Sequence, residues 1–532
     1  MTRVNQPEAD VADLPDFDDE PEPTGTALDR WWARVLSRPR NKTLWDWGAP
    51  TAVTVLAALL RLWHLGYPHT LVFDETYYVK DAWTLSHLGY EGAWRNGADT
   101  AFNAGDPSFW SASPEFVAHP PLGKWLIALG EHALGIQDSA GWRISTAVVG
   151  ILAVIVLMLI AKRLFRSTLL ASIAGLLMAV DGSAIVMSRV SLLDDFVMFF
   201  ALLGFGAILL DRDWRDKRIP LLKGPVLWRP WLLTAGLLFG LDAGVKWSGF
   251  YFLAVFGVYS VLSDYFAYRR AGVLHTVEGV AQAVITFVTM VPIAIAAYIA
   301  SWTGWLVTSG GWDRHWVEAN PKANAWHGLL AWVPYWAQNL WHYNTELYGY
   351  SINLHATHPY QSNPLGWLLM LRPTSMYYVG TAPGQGNCTA AAPGCSAAIT
   401  DLGNPFIWWA ASLALLGLIY WFARYRDWRA GLLLAGIGAG WLPWVILYHD
   451  RTIFTFYAIA FEPYLLLGIV FFIALALGTA TDATRRRVRG IALVGAYLVV
   501  VCAASVFFWP LWSGIQTSYA YWHAHMWLRS WI

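Results

Sequence analysis

Long apolar runs separated by short polar clusters dominate this chain. They recur at lengths near the ~20 residues that a helix needs to cross a bilayer. Eleven runs lie at about 47–65, 143–161, 168–187, 193–210, 231–246, 248–264, 277–302, 405–423, 430–448, 452–478 and 491–511. The pattern predicts an all-α polytopic membrane protein. Two connecting segments are long, about 66–142 and about 303–404. Both hold amphipathic stretches rich in Trp and Tyr, such as Trp326 to Trp341, a composition suited to lying flat on a membrane surface. There is no internal repeat or heptad run.

The charge between the runs supplies an orientation. Even-numbered runs end in Lys162-Arg163 with Arg166, in Arg212 to Arg218, in Arg269-Arg270, in Arg424 to Arg429, and in Arg485-Arg486-Arg487 with Arg489. Odd-numbered runs end in segments poor in Lys and Arg. Basic loops stay in the cytoplasm, so the N-terminus is predicted inside and the C-terminus outside, with both long segments on the outer face. Residues 1–29 hold Glu8, Asp10, Asp13, Asp16, Asp18, Asp19, Glu20 and Glu22, with several prolines and few large apolar residues. Such a segment buries no core, so a disordered acidic cytoplasmic tail is predicted there, followed by a membrane domain over 30–532. The tail lacks the basic start and apolar stretch of a signal peptide.

Composition sharpens this picture. Hydrophobic residues make up 56% of the 532, and only 14% are charged, against about 25% in a soluble domain. The 34 tryptophans suit the water–lipid boundary. The net charge of zero gives no indication of a nucleic-acid partner. Cys388 and Cys395 enclose a short segment on the predicted outer, oxidising face, where a disulfide is expected. Cys502 lies inside the last run.

The chemistry-bearing residues fall on the same outer face. Asp74-Glu75 follows the first run, and His119-Pro120-Pro121-Leu122-Gly123-Lys124 lies further along the same segment. Arg189 and Asp194 separate runs three and four, and Lys246 separates runs five and six. His355, His358 and Tyr360 lie in the second long segment, and His449-Asp450-Arg451 separates runs nine and ten. Adjacent carboxylates at a membrane surface are costly to keep beside apolar groups, and such a group can take a proton from a hydroxyl. Asp74 also suits a plain helix N-cap. Arg189, Lys246 and Arg451 run against the inside bias of cations, which favours a bound phosphate over a headgroup anchor. His355 and His358 alone are too few to indicate a metal site.

Taken together, Phe73-Asp74-Glu75, the His119–Lys124 segment, Arg189-Val190-Ser191-Leu192-Leu193-Asp194 and Lys246-Trp247-Ser248-Gly249 resemble the protein O-mannosyltransferases, most closely the actinobacterial branch. The resemblance covers the chain from about residue 30 to its end. It implies a GT-C glycosyltransferase fold with about eleven transmembrane helices and two large outer loops. It also implies inverting transfer of mannose from polyprenyl-phosphate mannose to Ser or Thr of secreted polypeptides at the outer membrane face. On this reading Asp74 is the catalytic base, and Glu75 contacts acceptor or sugar. Arg189, Lys246 and Arg451 hold the donor phosphate, while His119, Lys124, Asp194, His358 and Tyr360 line the site. No cofactor or metal is required. The resemblance further implies meeting the polypeptide as it leaves a secretion channel. The large soluble module of eukaryotic members is missing from the second long segment. A related lipid-linked transferase of arabinose or aminoarabinose, acting on lipid or glycan, would share the chemistry but not the acceptor. A transporter would instead place ionisable groups in mid-span and show repeated halves.

Overall fold

The computed structural model describes residues 25–532 apart from 223–224, 273–275 and 480–481. Most of the predicted acidic tail therefore lies outside the described residues. Helix α1 (Ala27–Leu36) begins within its last three, under a capping box in which Thr26 and Asp29 satisfy each other's backbone N–H groups. Asp29 also pairs with Arg487 at 2.8 Å, tying the start of the described chain to its last long helix.

The first apolar run lies in α2 (Pro39–Leu62), and the segment after it folds into α3 (Glu75–Leu88), β1 (Gly92–Trp94), α4 (Ala98–Asn103), β2 (Trp110–Pro114) and α5 (Leu122–Leu134). The apolar runs then appear as α6 (Ala140–Phe165), α7 (Thr168–Val180) with the short α8 (Gly182–Met187), and α9 (Asp194–Asp216). After α10 (Ile219–Leu222) come α11 (Pro230–Val245), α12 (Gly249–Arg270) and α13 (Thr276–Ser301). The second long segment holds α14 (Thr303–Val307), α15 (Trp316–Ala319), α16 (Pro321–Asn324), α17 (Tyr335–Ile352), β3 (Thr374–Thr381) and β4 (Cys395–Asp401). The chain ends with α18 (Pro405–Tyr425), α19 (Trp428–Leu447), α20 (Glu462–Leu477), α21 (Thr484–Ser513), β5 (Thr517–Ser518) and α22 (Tyr519–Ala524).

Each of the eleven predicted runs holds a helix. Among the described residues, six helices are long and apolar enough to cross a membrane by length and composition, and α7, α11 and α20 are shorter apolar helices. The protein is a multi-pass membrane protein. Helices α7 and α20 are buried on nearly every face, as expected of helices apolar all round. Small residues permit a close crossing: a Cβ at Gly236 would run into the Met290 carbonyl oxygen, and one at Gly240 into that of Ala294, so α11 and α13 touch backbone to backbone. At one end of the bundle Arg229 bridges Asp211 and Asp264, and Arg215 joins Asp264 at 2.7 Å. Four charged side chains at the ends of α9, α11 and α12 are thereby fixed without leaving an unpaired buried charge.

The strands were not foreseen. β1 and β2 form an antiparallel pair, and β3–β4–β5 form a three-stranded antiparallel sheet joining the second long segment to the C-terminal end. The Cys388–Cys395 disulfide ties the loop between β3 and β4 to the first residue of β4.

Candidate active site

The turn before α3 sets the position of Asp74. Phe73 takes a left-handed backbone conformation, φ 49°, and the chain enters α3 with Asp74 in the N-cap place. Its side chain makes no cap hydrogen bond. The carboxylate instead faces Lys246, Asp194 and the hydroxyl of Tyr78, one helical turn on. Burial raises its pKa to about 6, with Asp194 pushing the same way and Lys246 and the Tyr78 hydrogen bond opposing. A carboxylate poised there can accept a proton near neutral pH.

Asp194 and Lys246 come from two other connections. Asp194 opens α9, and Lys246 caps α11. Lys246 Nζ donates to both Asp194 oxygens at 3.0 and 2.9 Å and lies 4.4 Å from the centre of the Tyr457 ring. The positive charge near Asp74 is thus held by an acid and an aromatic face. The His119 ring sits 5.8 Å from that of Tyr78. Burial holds it neutral, assisted by Lys246, Lys124 and Arg451. Lys124 is buried, donates to the His119 carbonyl at 3.0 Å and pairs with Glu91. It stands beside Asp81, which burial pushes up to about 7.

Arg451 acts electrostatically on His119 and on Tyr457. Its guanidinium lies 5.9 Å from the Tyr448 ring centre, its Nε has no hydrogen-bond partner, and it forms no ion pair among the described residues. Its charge is therefore not neutralised by an acid among the described residues. His358 meets the ring of Phe73 edge-on at 5.7 Å and that of Phe454 at 5.0 Å, with Tyr360 at 6.0 Å. These side chains form an apolar wall beside the Asp74 turn. His355 turns instead to the Asp450 carbonyl, 3.3 Å away. Among the described residues no group of three or more His, Cys, Asp or Glu is arranged to hold a metal ion.

Two assignments need correction. Glu75 does not face the Asp74 cluster. It is fully buried and bidentate to Arg143, with both contacts at 2.8 Å, and it accepts the backbone N–H groups of Ser191 at 2.8 Å and Val72 at 2.9 Å. With four donors bound it has no lone pair directed at a substrate, and its task is to lock the turn to α6. Arg189, expected on the donor phosphate, spends its guanidinium ends on the carbonyls of Leu60, Arg61, Trp63 and His64 at 3.2, 3.1, 2.6 and 3.3 Å. It therefore caps the end of α2, where free carbonyls concentrate partial negative charge. Sequence reasoning missed Tyr78, Arg143 and Tyr457. The i, i+4 spacing of Asp74 and Tyr78 on a predicted helix pointed to their meeting. Nothing local to Arg143 or Tyr457 announced a role.

Known proteins resemble this chain in sequence and in fold. The family model "Dolichyl-phosphate-mannose-protein mannosyltransferase" matches residues 121–308, and "C-terminal four TMM region of protein-O-mannosyltransferase" matches residues 336–531. The polyprenol-phosphate-mannose–protein mannosyltransferase of Mycolicibacterium smegmatis (strain MKD8) is 33% identical over 511 residues, covering 91% of this chain and 93% of the relative. That of Mycobacterium tuberculosis (strain CDC 1551 / Oshkosh) is 32% identical over 510 residues, covering 91% and 92%. In fold, the chain resembles the Saccharomyces cerevisiae protein O-mannosyltransferase Pmt1–Pmt2 complex bound to the sugar donor, with a TM-score of 0.69 at 13% identity and 92% coverage of both chains.

Proposed function

The chain belongs to the protein O-mannosyltransferase family, and from that premise we propose that it moves mannose from polyprenyl-phosphate mannose to Ser or Thr hydroxyls of polypeptides at the extracytoplasmic membrane surface. It is a glycosyltransferase of the GT-C fold. The observation that carries the reaction is the Asp74 carboxylate, uncommitted to capping and with its pKa raised to about 6.

The donor's tail cannot leave the bilayer, since each buried methylene holds it by ~0.8 kcal/mol. The sugar–phosphate bond consequently reacts at the membrane surface. Asp74 takes the proton of the acceptor hydroxyl as that oxygen bonds to the anomeric carbon from the face opposite the phosphate. The carbon–oxygen bond to phosphate breaks, its electron pair stays on the leaving polyprenyl phosphate, and configuration inverts. The phosphate gains negative charge as the bond opens, so a fixed cation lowers the barrier. Arg451 is assigned to it, because it has neither an acidic partner among the described residues nor the carbonyl contacts that hold Arg189. Lys246 stands nearby, shared with Asp194. His119, Tyr78, His358 and Tyr360 shape the cleft, and Lys124 braces it through the His119 carbonyl. No cofactor enters the scheme, and these cations take the part a divalent ion would play.

The acceptor is assigned as an extended, Ser/Thr-rich segment of a secreted polypeptide, met before it folds as it leaves the secretion channel. The arabinose-type and transporter alternatives have no observation in their favour. The test is mannose transfer from a purified polyprenyl donor to a Ser/Thr-rich peptide by the protein in liposomes, wild type against Asp74→Asn. Transfer by wild type and its loss in the variant support the assignment. Equal turnover in a folded Asp74→Asn protein removes the base, and transfer to lipid but never to peptide removes the acceptor class.

A further inference from the structure

The sheet in the second long segment has an open edge. β4 is paired on both sides, whereas β3 is paired only with β4. The first half of β3 is enclosed, with Thr374 0% and Met376 5% exposed, while Tyr378 and Val379 are 46% and 44% exposed and Gly380 is open. Alternate residues of an antiparallel strand turn both N–H and C=O away from the paired neighbour. The stretch from Tyr377 to Thr381 therefore presents a row of backbone donors and acceptors that make no hydrogen bond beyond the β3–β4 ladder among the described residues.

Such an edge invites pairing with another chain, and proteins ordinarily guard it with charge, proline or a covering element. β3 reads Thr-Ser-Met-Tyr-Tyr-Val-Gly-Thr, with no charge and no proline. Its one irregularity falls between Ser375 and Tyr377, towards the enclosed end. An unguarded edge in a loop stapled by a disulfide is a feature to explain. Its placement supplies the explanation. Arg372, two residues before β3, donates to the Pro359 carbonyl at 3.1 and 2.9 Å and covers the Tyr360 ring at 5.0 Å. Tyr360 packs on His358, and His358 packs on Phe73, the neighbour of Asp74. The inner end of β3 is thus mounted on the wall of the cleft, and its open end leads away from it.

We propose that the acceptor polypeptide docks by strand addition on the free edge of β3, so that the enzyme reads main chain there and leaves side chains largely unread. This rests on the polypeptide acceptor assigned above. Strand addition takes its affinity from backbone hydrogen bonds, which suits segments that share extended backbone but differ in sequence. Five residues at about 3.3 Å each reach roughly 17 Å, so docking there adds subsites that a minimal peptide leaves empty.

The experiment uses full-length protein in liposomes, polyprenyl-phosphate mannose, and a series of peptides carrying one Thr and one N-methylated residue each. N-methylation at every second position of the docked stretch is expected to raise the peptide KM by about 2- to 10-fold, the range for one backbone hydrogen bond. The intervening positions, kcat and donor hydrolysis should stay unchanged. On the enzyme, Val379→Pro and Gly380→Pro each remove one N–H, one facing β4 and the other facing out. The outward one should raise the peptide KM without lowering the Tm. A flat scan, or one without a period of two, in an enzyme that transfers mannose overturns strand addition and leaves the function standing. Failure to transfer to any peptide overturns the function and this proposal with it. A dimer that the two proline variants dissolve, together with a flat scan, would show that the edge belongs to a second copy and overturns the proposal.

Discussion

At Asp74 burial and the negative charge of Asp194 favour the protonated carboxyl, while Lys246 and the Tyr78 hydroxyl favour the ionised form, and the balance lies near pH 6. A general base works only when ionised, so kcat/KM should fall about tenfold per pH unit below about 6 and level off above it. Asp74→Asn should lower transfer by at least ~10²-fold and abolish that limb of the profile. The same shift has a sign for stability. An unfolded Asp ionises near pH 4, so the folded state holds its proton longer and loses stability as pH rises from there through about 6. Asp74→Asn should therefore melt no lower than wild type at pH 7, which separates its kinetic loss from unfolding. The two corrected residues give the opposite pattern. Removing one partner of a buried ion pair costs about 3–5 kcal/mol, so Glu75→Ala should lower the Tm steeply. Arg189→Gln should lower the Tm more than it changes donor affinity, and Arg451→Gln should raise the donor KM with little change in Tm. A donor KM that moves with Arg189 and not with Arg451 would reverse the phosphate assignment.

Among the elements, the apolar runs were legible because a membrane helix must be long, continuous and apolar, and each of those demands is written locally. α7 with α8 fills the run at 168–187, and α9 begins at Asp194, one residue from the expected 193. The strands were not legible for the converse reason. β3 and β4 alternate weakly, and β5 has only two residues, so they exist by pairing and not by pattern. The site divided in the same way. Residue type and position drew Asp74, Asp194, Lys246 and His119 together, since each lies in a segment between runs on the same predicted face or at the edge of one. Glu75 and Arg189 were misassigned because a sequence shows that a charge exists but not which partner satisfies it. Their partners, Arg143 and the carbonyls at the end of α2, lie 68 and 125 to 129 residues away. The Cys388–Cys395 pair was legible from compartment and spacing, and its position at the hairpin gives it a testable task. A loop this small gains about 2–3 kcal/mol from the bond in the chain-entropy model. Cys388→Ser should then speed hydrogen exchange of the β3–β4 amides and raise the peptide KM, with donor hydrolysis unchanged. Exchange rates that match wild type would leave the bond without a mechanical role in the hairpin.

For the whole molecule, the arrangement of the site constrains how the helices run. Asp74 follows α2, Asp194 opens α9, Lys246 ends α11, His358 follows α13 and Arg451 follows α19, yet their side chains or ring contacts meet in one cluster. Each of these points closes an odd-numbered run. They can meet only if successive helices return to the same face, which is what alternate crossing produces. The basic ends of α6, α9, α12 and α18 belong to the other face. Arg215 and Arg229 are paired there with Asp211 and Asp264, but acids weigh little in setting topology. The count of Lys and Arg therefore still predicts a cytoplasmic N-terminus, an outer active site and an outer C-terminus after eleven crossings. Reporter fusions after Arg270 and after Asn387 should lie on opposite sides of the membrane, the first cytoplasmic. If both report the same side, α13 does not cross, and a cluster containing both Lys246 and His358 would require one of those segments to re-enter the bilayer. If the sides are opposite but reversed, the crossings stand and Asp74 faces the cytoplasm, where no secreted polypeptide would reach it.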